Sequence, residues 1–277
     1  MPAYDYLYLG DNARAPYGTR SFERVYEFTL QAVRKLFDLG CPLVILACNT
    51  ASAKALRSIQ QHDLPRMADP SRRVLGVIRP TVEAVGDITR TRHVGIVATQ
   101  GTVASSTYEL EMAKLHPDIT VTAQPCPMWV PLVENREYDQ PGADYFVRRD
   151  IGTLLVRDPA IDTIILGCTH FPLLYNKVRA YTPAHVRIIP QGDYVARSLL
   201  DYLRRHPEMD GRLSVALVLA EREQEHAVHV GRERVCERLL RAPRVGAERS
   251  LVFVACGRRL RVRRVGVRER AFHHVHA

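Results

Sequence analysis

Two short apolar runs, each closed by a small residue and a cysteine, constrain this chain more than any other feature. Leu43-Val44-Ile45-Leu46-Ala47-Cys48-Asn49-Thr50 and Thr163-Ile164-Ile165-Leu166-Gly167-Cys168-Thr169-His170 follow one plan, 120 positions apart. A run without polar alternation is the pattern of a strand buried on both faces, which belongs in a parallel sheet covered by helices. The surrounding sequence supplies those helices. Over 22–39, Val25, Phe28, Leu30, Val33, Leu36 and Phe37 make one broad apolar face, and Gly40 follows as a stop. The alternation predicts strands over 6–9, 43–47, 74–78, 94–98, 120–122, 162–166 and 186–189. Helices are predicted over 22–39, 51–61, 82–88, 108–115, 145–156, 173–181 and 194–206. Arg79-Pro80 is read as closing the third strand, 99–102 as a turn, and Pro125-Cys126-Pro127 as an irregular, extended passage.

A chain of 277 residues has room for about two domains of ~150 residues. The expected architecture is α/β, with two similar parallel-sheet lobes facing each other across a cleft. Residues 1–78 plus 188–211 form the first lobe and residues 79–187 the second. The six cysteines, at 41, 48, 126, 168, 236 and 256, contain no C-x-x-C pair and are too sparse for a disulfide scaffold. The longest apolar stretches fall far short of the ~18 residues of a membrane helix, and no basic-then-apolar leader opens the chain. A reduced, cytoplasmic enzyme without membrane association is expected.

The net charge of +9 is localised. Residues 212–277 hold 15 arginines, no lysine and 7 glutamates, so they carry +8 and residues 1–211 only +1. A nucleic-acid reading of the charge applies to that tail alone. Within the tail only 213–220 and 251–255 read as apolar elements. Residues 258–270 contain seven arginines without a helical or strand period, and no fold is assigned to them.

Ligands of open parallel sheets bind beyond the carboxyl ends of the strands, which is where Cys48 and Cys168 fall. Each is followed by hydroxyl or amide groups at an expected helix N-terminus, where backbone N–H groups would stabilise a thiolate and lower its pKa. Two matched thiols, one per lobe, suit removal of a proton from one face of a stereocentre and its return to the other. A nucleophilic Cys168–His170 pair and a metal site from Cys48, Cys168 and His170 are the weaker alternatives: two residues apart at a strand end is no evidence of a hydrogen bond, and the metal set lacks the usual ligand spacing. His273, His274 and His276 in the tail are read as an incidental polar terminus.

Three segments carry a specific resemblance. They are 10–18 (Gly-Asp-Asn-Ala-Arg-Ala-Pro-Tyr-Gly), 47–52 (Ala-Cys-Asn-Thr-Ala-Ser) and 166–173 (Leu-Gly-Cys-Thr-His-Phe-Pro-Leu). With 76–80, 98–103 and 131–134 in the same order, the chain over 4–211 resembles glutamate racemases of the aspartate/glutamate racemase superfamily. The resemblance implies cofactor-free interconversion of L- and D-glutamate, with D-glutamate supplied to peptidoglycan. It implies Cys48 as the base for D-glutamate and Cys168 for L-glutamate, with His170 and Glu134 assisting Cys168. Asn49, Thr50, Thr99, Thr102 and Thr169 would hold the substrate, and Tyr17 and Gly18 would line its pocket. No metal and no nucleic-acid partner is implied, and a homodimer is left open.

The chain also departs from the family. The family's first strand, ending in Asp-Ser-Gly, has no counterpart here, so the first lobe is expected to lack a central strand and racemisation to be weak or absent. The composition of 212–277 is what a shifted reading frame in a GC-rich gene would give; a basic extension and a folded closure of the lobe are the other readings. The alternative functions are an idle module whose arginine tail binds nucleic acid or an acidic partner, and a racemase of aspartate or a hydantoin.

Overall fold

The computed structural model describes Tyr4, residues 6–213 and the two strand segments 227–230 and 252–256. The expectations for 214–220, Cys236, the arginine run at 258–270 and the terminal histidines lie outside the described residues. The chain enters on β1 (Tyr6–Gly10), crosses α1 (Phe22–Asp38), and returns as β2 (Leu43–Leu46). Helix α2 (Asn49–Lys54) runs on through the single turn α3 (Leu56–Ser58) to β3 (Arg73–Gly76) and α4 (Ile78–Val85). Next come β4 (His93–Ala98), α5 (Gln100–Ala104), α6 (Thr107–Leu115), β5 (Thr120–Pro125), α7 (Trp129–Glu134) and α8 (Pro141–Arg157). The chain continues through β6 (Thr163–Gly167), α9 (Tyr175–Ala180), β7 (Arg187–Pro190), α10 (Gly192–Arg205) and α11 (Pro207–Asp210). The tail contributes β8 (Ala227–Val230) and β9 (Val252–Cys256).

Two sheets result. The second is parallel throughout, in the order β5-β4-β6-β7. Its strands are covered on both faces, as an unalternated apolar run requires. Val97, Ile164 and Leu166 pack with Trp129, Val147, Ile151 and Leu154. Ile96 and Ile165 point to the opposite face and pack with Val82, Val85, Tyr108 and Met112. The strand at 187–190 lies whole in this sheet, so the chain leaves it after Pro190.

The first sheet has the order β3-β2-β9-β1-β8. Here the all-parallel expectation is corrected. β2 and β3 run parallel, but β9 is antiparallel to both β1 and β2, and β8 is antiparallel to β1. Two pieces of the tail are thus strands of the first lobe. On one face Leu7, Leu9, Val44 and Leu46 pack against Val33, Leu36 and Phe37 of α1. On the other face Leu43 packs with Leu203 of α10, and Ile45 with Val195 and Leu199.

Several local expectations are also corrected. Ile78 opens a helix and does not end a strand; Pro80 sits in the first turn, where its missing N–H has no intrahelical acceptor to lose. Ile78, Val82 and Val85 then form one buried stripe. Pro131 occupies the same third position in α7, a helix the proline-rich passage concealed. The expected turn at 99–102 is the capped start of α5, and the helix expected from 51 begins at Asn49 and breaks at Ala55.

Trp129 is the chain's single tryptophan and is fully buried in the second-lobe core against Phe171, with ring centroids 4.7 Å apart. Its fluorescence therefore reports that lobe. Ile151→Ala removes a fully buried side chain from the same cluster and should lower stability by about 2–5 kcal/mol, read as an earlier urea midpoint of tryptophan emission. A loss below about 1 kcal/mol would mean that the lobe collapses around the deleted atoms.

Candidate active site

The site is built where two strands, one per sheet, release the chain toward each other. β2 ends at Leu46, and Cys48 becomes the N-terminal cap of α2, its sulfur accepting the Ala51 N–H at 3.5 Å. Ser52 locks the turn by donating to the Leu46 carbonyl at 2.8 Å. The cap geometry was expected to lower the thiol pKa, but burial wins. Desolvation pushes Cys48 up to about 12, the Ala51 N–H opposes this only in part, and the nearby Cys168 adds to the rise.

Cys168 sits at the end of β6 in a different environment. A 3-10 turn (Phe171–Leu174) follows it directly, not an α-helix. Its sulfur lies 3.6 Å from His170 Nδ1, and His170 Nε2 lies 2.5 Å from Glu134 Oε1 at the end of α7. The two-residue spacing that by itself gave no evidence of contact therefore forms a Cys–His–Glu chain. Burial alone would lower the His170 pKa; the hydrogen bonds and charges of Cys168 and Glu134 outweigh it and raise it to about 10. Glu134 Oε2 is buried without a partner among the described residues, so the carboxylate depends on the imidazolium.

The predicted hydroxyls converge across the lobes. Thr50 Oγ1 of the first lobe lies 3.0 Å from Thr99 Oγ1 and 3.2 Å from Thr102 Oγ1 of the second, and those two lie 3.0 Å apart. Thr99 also caps α5 by accepting the Thr102 N–H at 3.2 Å. Gly18 makes this approach possible. A Cβ there would lie 2.9 Å from Thr99 Cβ, and one on Gly101 would lie 2.7 Å from the Gly18 carbonyl, which accepts the Gly101 N–H at 2.8 Å. Tyr17 packs with Val25, Cys48 and Ala51 and donates its hydroxyl to Asp11. Burial and the Asp11 carboxylate raise its pKa, so it remains a phenol. Thr169 is the outlier of the predicted set: it is exposed, at the rim of a largely apolar cavity of about 130 Å³ that Cys168, Gln191, Val77 and Pro172 also line.

Sequence reasoning missed three buried polar residues here. Asp11 anchors Tyr17 and receives Arg14 at 2.8 Å. Tyr108 and Gln191 both bond Asn49. The available signal was position, since Asp11 and Gln191 each directly follow a strand's carboxyl end. Among the described residues no group of three or more His, Cys, Asp or Glu side chains is placed to hold a metal ion, and no helix is long and apolar enough to cross a membrane.

Known proteins resemble this chain in sequence and fold. The profile of the Asp/Glu/Hydantoin racemase family matches residues 1–199. A glutamate racemase of Dinoroseobacter shibae is 42% identical over 221 residues, covering 76% of this chain and 79% of that protein. One of Paracoccus denitrificans is 40% identical over 235 residues, covering 81% and 85%. Among solved structures, glutamate racemase isoform RacE1 from Bacillus anthracis superposes with a TM-score of 0.65 at 34% identity, covering 71% of this chain and 70% of that one. The Francisella tularensis glutamate racemase in complex with D-glutamate gives 0.62 at 28% identity, covering 71% and 70%. The chain is a member of the Asp/Glu/Hydantoin racemase family, an amino-acid isomerase of its glutamate racemase branch.

Proposed function

We propose that this chain interconverts L- and D-glutamate in the cytoplasm by cofactor-independent 1,1-proton transfer, and that its D-glutamate serves peptidoglycan synthesis. The observation that carries the reading is the pair of buried thiols at the carboxyl ends of β2 and β6, with hydroxyls from both lobes meeting at Thr50, beside Cys48. In the L-to-D direction the Cys168 thiolate takes the Cα proton, the electron pair moves into the α-carboxylate, and the Cys48 S–H returns a proton to the opposite face. In the reverse direction the two sulfurs exchange roles. Asn49, Thr50, Thr99, Thr102 and Thr169 bind the carboxylates, whose negative charge grows in the transition state, while Tyr17 and Gly18 shape the pocket.

The two half-sites are unequal. Cys168 has an imidazolium at 3.6 Å that Glu134 holds in place, whereas Cys48 has only neutral donors, the Ala51 N–H and the N–H and hydroxyl of Thr50, and is pushed up to about 12. Turnover from D-glutamate is accordingly the slower, because it needs the Cys48 thiolate, which burial disfavours near neutral pH. Enantiomers have equal free energy in water, so kcat/KM must be the same in both directions, and the inequality appears in kcat and KM separately.

Circular dichroism of D- and L-glutamate in D2O tests the reading. Both enantiomers should racemise and gain solvent deuterium at Cα, and either Cys48→Ser or Cys168→Ser should lower kcat at least about 100-fold. Turnover of aspartate or a hydantoin without glutamate, or full activity after Cys48→Ser, would overturn it.

Between pH 7 and 9, kcat from D-glutamate should rise by up to about ten-fold per unit, more steeply than kcat from L-glutamate. Equal slopes would remove the asymmetry.

The His170–Glu134 pair also has a stability signature. Because folding raises the His170 pKa from 6.5 to about 10, its contribution is fully present below about pH 6.5 and disappears as the pH rises through 10. Glu134→Gln should therefore cost about 1.5–3 kcal/mol at pH 6, and the difference should shrink toward pH 10 in urea unfolding.

A further inference from the structure

The amide of Asn49 is held in one orientation by a ring of buried side chains that the proton transfer itself does not use. Asn49 Nδ2 donates to Gln191 Oε1 at 2.7 Å, and Tyr108 donates its hydroxyl proton to Asn49 Oδ1 at 2.8 Å. Gln191 Nε2 closes the ring by donating to the Tyr108 oxygen at 2.6 Å, and it also donates to Thr81 Oγ1 at 2.9 Å. Thr81 passes its own proton to the Val77 carbonyl at 2.9 Å. Each member of the ring is thus both donor and acceptor, and the two amides and the Tyr108 hydroxyl orient one another as a set. The remaining Nδ2 proton of Asn49 has no acceptor among the described residues.

The members of the ring come from parts of the chain that no single lobe unites. Asn49 opens α2 of the first lobe, and Tyr108 lies on α6 of the second. Thr81 lies on α4, where the chain crosses to the second sheet, and Gln191 directly follows β7, where it returns. All four are buried. A half-satisfied buried network is costly, so a lobe movement that pulled Gln191 away would leave Asn49, Tyr108 and Thr81 under-bonded together.

We propose that Gln191 is a positioning residue that presents Asn49 beside Cys48 and latches the two lobes closed over both thiols. It touches neither the substrate nor a sulfur in this role; it acts through Asn49 and through the crossing at Thr81. The latch follows from geometry alone, while the presentation of Asn49 to glutamate rests on the proposed function.

Gln191→Met keeps the length and volume and removes all three hydrogen bonds. The first measurement needs no substrate: alkylation of each thiol by iodoacetamide in the full chain, resolved by peptide mass. Cys48 and Cys168 should react about ten-fold faster, as expected for the loss of a buried hydrogen-bonded closure. Cys41 and Cys126, fully buried in the lobe cores, should change less than about two-fold, whereas Cys168, at the edge of the same second-lobe cluster as Cys126, already lines the cavity beside Gln191. A uniform rise at all four would make Gln191 an ordinary stability residue, and no rise at Cys48 and Cys168 would remove the latch. If Gln191→Met does not fold, Gln191→Glu keeps the Oε1 acceptor for Asn49, loses both Nε2 donations, and should show the same selectivity at a smaller amplitude.

The second measurement is glutamate affinity by calorimetry. Gln191→Met should weaken binding about ten-fold in the native background and less than about two-fold in Asn49→Ala, where there is no amide left to position. Equal losses in the two backgrounds would overturn action through Asn49. Failure of the native chain to bind glutamate would instead count against the proposed function, and the alkylation pattern would still decide the latch.

Discussion

Burial of the two thiols is the constraint on which the rest of the site depends. A sulfur buried at a strand end loses the solvent that would stabilise its thiolate, and the structure shows two unequal answers to that loss. At Cys168 the answer is a side-chain relay, His170 held by Glu134. At Cys48 it is the neutral donors at the start of a six-residue helix, the Ala51 and Thr50 N–H groups with the Thr50 hydroxyl, which leave the thiol pushed up to about 12. One sulfur sits beside an acid–base side chain and the other beside peptide dipoles. Proton transfer along this axis must then be limited by the side with the weaker compensation.

Each thiol packs first within its own lobe, Cys48 with Tyr17 and Ala51 and Cys168 with the core around Trp129 and Phe171, and the approach of the sheets' carboxyl ends completes the enclosure. The approach is sterically exacting. Gly18 lies so near Thr99 that even a methyl group would collide, and Gly101 meets the backbone of the first lobe directly. Side-chain hydroxyls complete the junction, with Thr50 bridging to Thr99 and Thr102. Groups that bind one another in the closed molecule are the same groups proposed to bind carboxylate. Substrate therefore exchanges one set of hydrogen bonds for another, so its net gain is smaller than the number of new bonds suggests.

Much of this was legible in the sequence where the determining pattern is local. Unalternated apolar runs gave the strands carrying Cys48 and Cys168, and the stripe on α1 gave its buried face. What stayed hidden has two physical causes. Pro80 and Pro131 look like breakers, yet in a helix's first turn they cost no hydrogen bond; the start of α4 was for that reason set at 82 and not 78, and α7 was lost. Gln191 and Tyr108 reach Asn49 across 142 and 59 positions, and no periodicity encodes a contact of that range. Tyr17 and Glu134, unremarkable by local pattern, take on meaning only through the buried partners that the fold brings to them.

The first sheet shows how far one non-local pairing reaches. β1 and β2 are both antiparallel to β9, so they run parallel to each other with one strand between them. The α1 crossover that joins them must therefore step over a strand, about 9.5 Å from β1 to β2. α1 still packs on Leu7, Leu9, Val44 and Leu46 at once, which fixes the width of that step from the helix side. From the sheet side it is fixed by the ladder, in which Phe253 is opposite both Leu9 and Leu46. Leu46 stands two residues before Cys48. The pairing that places it also sets where the sulfur leaves the sheet, so the geometry at the thiol is determined jointly by residues 43–46 and by a strand some 200 positions later in the chain.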